Sequence, residues 1–121
     1  MDSILASIRK LIGAEVDEHF DVDLITAINT ALMYLWQIGV GPSEGFTISD
    51  DSATWSDFIP NMGPVKREWV KTYVHLNVKL IFDPPLSSAH IEAINRQIKE
   101  LEWRLNVAAE TPCSEEESQN G

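Results

Sequence analysis

Pro64-Val-Lys-Arg-Glu-Trp-Val-Lys-Thr-Tyr-Val-His-Leu-Asn-Val-Lys-Leu-Ile-Phe-Asp-Pro-Pro85 is the stretch that decides the fold. Pro64 suits the first turn of a helix, where a missing N–H costs nothing. Asp83-Pro84-Pro85 stops the helix, because proline cannot continue the hydrogen-bond ladder and restricts the residue before it. Between these ends run two apolar rows, Trp69, Tyr73, Leu76, Leu80 and Val70, Val74, Asn77, Ile81. Together they cover more than one stripe, so the spacing predicts a helix over about 65–82 covered by at least two neighbours.

The flanking sequence supplies those neighbours. Ile4, Leu5, Ile8, Leu11 and Ile12 keep helical spacing, with Asp2 or Ser3 as cap and Gly13 as stop. Leu24, Ile25, Ile28, Leu32, Leu35 and Trp36 mark a second helix, begun by Asp21 or Asp23 and closed by Gly39. Ile91, Ile94, Ile98, Leu101 and Leu105 step by three and four along a last helix, capped by Ser87 or Ser88 and running to about Ala109. On its outer side Glu92–Arg96 and Arg96–Glu100 have the spacing of ion pairs.

Gly39 to Gly63 is the irregular stretch. At about 25 residues it is long for a connection, and such loops are usually functional or disordered. Phe46, Ile48, Trp55, Phe58 and Ile59 are too apolar a set for a disordered linker. The loop is therefore expected to be ordered. Phe46-Thr47-Ile48 alternates like a short strand, and residues 53–58 suit one helical turn capped by Ser52 or Thr54. The expected fold is mainly α: a small bundle of about four helices with a long ordered loop, 39–63, carrying a short β element. Residues 1–109 form one domain, followed by an acidic C-terminal tail, 110–121.

The 121 residues fit one modest core, and the formal net charge is −10. Acids run from Glu15 to Asp23, from Glu44 to Asp57 and from Glu110 to Glu117, while Lys66, Arg67, Lys71 and Lys79 place four of the nine bases on the central helix. An acidic chain lacks the footprint of a nucleic-acid binder, whose affinity comes largely from neutralising phosphates. No apolar run approaches the ~20 residues of a membrane span, and Met1-Asp-Ser-Ile-Leu5 lacks the layout of a signal peptide; synthesis in the cytoplasm is expected. Cys113 is the single cysteine, and with His19, His75 and His90 scattered there is no metal-ligand spacing. Asp50-Asp51 reads as turn chemistry. Tyr73, His75 and Asn77 read as hydrogen-bonded core polar groups. No catalytic, cofactor or metal residue is expected.

Gly39-Val-Gly-Pro42, Gly45-Phe-Thr-Ile48, Thr54-Trp-Ser-Asp-Phe58, Val70-Lys-Thr-Tyr-Val74, Phe82-Asp-Pro-Pro85 and Glu102-Trp-Arg-Leu-Asn106 occur in this order. In that series the chain, from Ile4 to Ala109, resembles the small head–tail connector proteins of long-tailed bacteriophages and prophages, also called head-completion or adaptor proteins. The resemblance implies a helical virion subunit in a closed ring of about twelve copies. The ring would dock under the portal after packaging, extend the channel for double-stranded DNA without reading its sequence, and carry the next neck component. On this reading Phe46, Ile48, Asp50, Asp51 and Trp55 are candidates for the ring or neck interface. Trp103, Arg104, Glu110, Glu115, Glu116 and Glu117 are candidates for portal docking. Carboxylates lining the bore would let DNA pass without sticking. Two other readings stand beside it. One is a small acidic helical adaptor or inhibitor that binds a basic partner; the other is an enzyme whose pocket grows around Tyr73, His75 and Asn77.

Overall fold

The computed structural model describes residues 3–13, 21–60, 63–82 and 84–110, with side chains through Val107. Five helices follow one another: α1 (Ile4–Ile12), α2 (Asp21–Gln37), the short α3 (Trp55–Phe58), α4 (Pro64–Phe82) and α5 (Ser88–Glu110). Local chemistry sets their ends. The Ser3 hydroxyl accepts from the Ala6 N–H at 3.1 Å to start α1. Thr54 and Asp57 form a reciprocal capping box at α3, each side chain accepting from the other's backbone N–H. The Ser87 hydroxyl accepts from the His90 N–H at 3.3 Å to open α5.

α4 is the hub, packing against α1, α2 and α5, while α1 also meets α2. The core gathers Ile4, Leu5 and Ile8 from α1, six residues of α2 from Leu24 to Leu35, and Ile94, Ile98 and Leu105 from α5 around the central helix. Fully burying such an aliphatic side chain contributes ~1.5–3 kcal/mol. α4 buries Val70, Tyr73, Val74, Leu76 and Val78. Val78 belongs to neither expected row, and Ile81, in the last turn, is 56% exposed. The cover is therefore broader in the middle of α4 than the two rows imply and thinner at its end, where Leu80 and Phe82 are half-buried against the core.

The expected short β element does not form. Among the described residues there is no strand, and one isolated antiparallel bridge joins Ser3 to Thr54, where the Ile4 N–H donates to the Ala53 carbonyl at 2.9 Å. Phe46-Thr47-Ile48 makes no ladder because the Asn29 side chain takes both backbone groups of Ile48: its Oδ1 accepts from Ile48 N–H at 2.8 Å and its Nδ2 donates to Ile48 C=O at 3.0 Å. A residue so held has no N–H left to donate to a partner strand.

Candidate functional site

The described part of the loop, residues 39–60, packs onto the bundle at several points. Trp55 Nε1 donates to the Ser7 hydroxyl at 3.2 Å, tying α3 to α1. Phe58 packs on Phe46 with ring centroids 5.2 Å apart and is itself buried. Gly41 sits at φ +103° with the Phe58 ring beneath it; a Cβ there would fall 2.6 Å from Cε1. Only glycine meets both the backbone geometry and the close approach. Trp36 Nε1 donates to the Ser43 carbonyl at 2.9 Å, closing the base of the loop.

This packing sorts the loop residues. Ile48 and Trp55 are 5% and 2% exposed. Their side chains belong to the chain's own core. Phe46 is half-buried, while Asp50 and Asp51 are exposed. Asp50 accepts from the Ser52 hydroxyl at 2.6 Å and from its N–H at 2.9 Å, and these bonds hold its carboxyl below the usual carboxylate range. Beside Phe46 lies a groove of about 470 Å³, bordered by Met33, Trp36 and Glu44.

α5 presents the second candidate surface. Trp103 is 64% exposed, and Val107 one turn on is 40% exposed. Arg104 bonds Glu100 through Nη2 at 2.7 Å and Nε at 3.0 Å, and its guanidinium stands 5.9 Å from the centre of the Trp69 ring. Glu100 thus pairs with the base that follows it. Trp103 and Arg104 lie next to each other at the surface, and Glu110 ends the helix. Glu115, Glu116 and Glu117 lie outside the described residues.

Inside the bundle, the Tyr73 hydroxyl donates to Glu102 at 2.7 Å. Burial first, then the Glu102 hydrogen bond and charge, push its ionisation far up. Asn77 Nδ2 donates to the Tyr73 carbonyl at 2.9 Å. His75 has its pKa lowered, first by burial and then by Lys79. So Tyr73 is held neutral and Asn77 is tied to its own helix, which makes these two part of the scaffold, while His75 lines a groove between α1 and α4. Sequence reasoning missed Asn29, although an asparagine on the thin side of α2 facing a long loop is a usable signal. It also missed a groove of about 550 Å³ between α1 and α4, lined by Ser7, Lys10, Lys71, Thr72 and His75 among others.

Among the described residues no group of three His, Cys, Asp or Glu could hold a metal ion, and no helix is long and apolar enough to cross a membrane. A family model described as "Phage connector protein" matches residues 4–112. No curated protein and no solved structure matches the chain.

Proposed function

The chain belongs to the phage connector protein family, and from that premise we propose that it is a subunit of the ring joining a phage head to its tail. The family makes it a structural component of the virion. The finer reading is a closed ring of about twelve copies that docks under the portal, lengthens the DNA channel and carries the next neck component. The observation that carries it is the family match, which spans the whole packed bundle, loop and α5 included.

The two exposed surfaces take separate roles in this reading. Asp50 and Asp51, with the edge of Phe46 and the adjoining groove, form the ring or neck contact. Ile48 and Trp55 support it from beneath. Trp103 and Arg104 dock the portal, with Glu110, Glu115, Glu116 and Glu117 continuing that surface. An exposed tryptophan beside an arginine is the composition of an interface anchor. Double-stranded DNA passes through the bore without sequence readout.

Deleting the coding sequence from a parent phage tests the role. Electron microscopy of the lysate should show DNA-filled heads and free tails that fail to join, rescued by the chain in trans. Normal tailed virions from the deletion would overturn it.

A further inference from the structure

The chain's charge is segregated by packing. α1 and α4 together hold six of its nine bases, Arg9, Lys10, Lys66, Arg67, Lys71 and Lys79, and a single acid, Glu68. On a chain of net charge −10, these two helices carry a net positive charge, with Arg9 paired to Asp21 at 2.6 Å. Its groove of about 550 Å³ sets Lys10 and Lys71 with the hydroxyls of Ser3 and Thr72, all suited to carboxylate oxygens, while the Ser7 hydroxyl beside them already donates to the Ser3 carbonyl at 2.7 Å. His75 lines the same groove, and its Nδ1 is buried with no hydrogen-bond partner among the described residues. Glu68 also lines the groove, with a carboxylate 4.0 Å from Lys71 Nζ.

We propose that this groove holds the Glu115-Glu116-Glu117 segment of the same chain when the protein is free. Three observations favour that occupant. The segment 111–121 contains three adjacent carboxylates and no base, so its charge is complementary to the groove. Its starting point is close. α5 runs past α4 with Tyr73 bonded to Glu102 and Trp69 under Arg104, so its end lies near the first turns of α4, the half that lines the groove. Glu110 stands six residues beyond Arg104, about 9 Å at 1.5 Å per residue. Crossing α4 adds an interaxial distance of about 8–10 Å and the far side of that helix. The six residues from Thr111 to Glu116, extended, span about 20 Å.

The third observation concerns competition. A tethered segment acts at an effective concentration of the millimolar order, whereas a DNA phosphate backbone approaching from outside meets a chain of net charge −10. The tethered acids therefore have the advantage over an external polyanion. The inference goes beyond the ring reading and is tested on the isolated chain, so either can fail alone.

The single cysteine, Cys113, lies two residues before this acidic run and accepts a nitroxide spin label without any mutation. In ¹⁵N-labelled full-length protein the label should strip intensity from the amides of Ser7, Lys10, Lys71, Thr72 and His75 while sparing the α2 amides around Thr26. The loss should vanish in the Glu115→Gln, Glu116→Gln, Glu117→Gln chain, which leaves the packed bundle untouched. It should also fade as salt rises from about 0.1 M to about 1 M and the Debye length shrinks from about 10 to about 3 Å. Three results would overturn the proposal. The groove amides could keep their intensity, or lose it equally in the triple variant. The loss could appear only between chains, in a mixture of spin-labelled unenriched protein with unlabelled ¹⁵N protein. A short DNA duplex could shift the groove amides in place of the segment, which would make the groove a phosphate site.

Discussion

Asn29→Ala tests how the long loop is held. The substitution deletes one side chain and leaves two backbone groups of Ile48, the N–H and the C=O, without the partners they have at 2.8 and 3.0 Å. Ile48 is 5% exposed, so its backbone groups have little access to water while the loop stays in place. An orphaned buried polar group costs about 1–3 kcal/mol. Two of them, partly relieved by loop adjustment, give a destabilisation of about 2–4 kcal/mol. A small domain has about 5–15 kcal/mol in total, and with a urea slope of about 2 kcal/mol per molar the midpoint should fall by about 1–2 M. Urea unfolding followed by circular dichroism measures this, and hydrogen exchange localises it, because the Ile48 amide should lose protection ahead of α4. Asn29→Asp keeps the acceptor for Ile48 N–H but sets a carboxylate against the Ile48 carbonyl. Relative to wild type at each pH, it should recover as the pH falls towards the unfolded carboxyl pKa of about 4, with the recovery complete below it, because the folded acid takes up a proton to donate first. A midpoint for Asn29→Ala within about 0.3 M of wild type, less than about 1 kcal/mol at such a slope, would refute the clamp.

Three glycine replacements should fall in a fixed order. Gly41→Ala combines φ +103° with a 2.6 Å approach to Phe58, Gly45→Ala has φ +91° but open space, and Gly63→Ala has neither problem. Thermal melts should show losses of about 2–3 kcal/mol, about 1 kcal/mol and close to none. Tyr73 has its ionisation raised in the folded state, so its contribution is fully present below the unfolded value of about 10 and is lost as the pH climbs towards the folded value. Wild-type urea midpoints should therefore decline above about pH 10, and Tyr73→Phe should flatten that decline while losing about 1 kcal/mol at pH 7. Trp103→Ala, at an exposed site, should change stability by no more than about 0.5 kcal/mol yet weaken recruitment to the portal; a full-strength complex would remove Trp103 from the docking surface.

Four long helices were legible because their apolar spacing, caps and proline stops agree with one another, and the order of motifs pointed to the family. The loop was harder. Its surplus of aromatic residues shows that it is ordered, but cannot distinguish a residue that plugs the core from one that faces a partner; Trp55 and Phe58 do the former. Alternation at Phe46-Thr47-Ile48 suggested a strand, and Asn29, nineteen residues earlier in sequence, captured the backbone groups a strand needs. Pairing by side chain across such a separation leaves no trace within residues 46–48 themselves; the signal lies in α2. The basic groove was hidden for the same reason. Four bases on α4 are visible in the sequence, but the meeting of Lys71 with Lys10 depends on α1 packing beside α4.

The central claim is that this chain assembles on a portal. Native mass spectrometry of the purified protein, alone and mixed with the portal from the same genome, tests it most directly. The account predicts either a ring-sized species of the chain itself or a complex holding about one copy per portal subunit, with Trp103→Ala reducing the amount of the portal complex. A chain that stays monomeric and ignores the portal at concentrations well above those in an infected cell would contradict it.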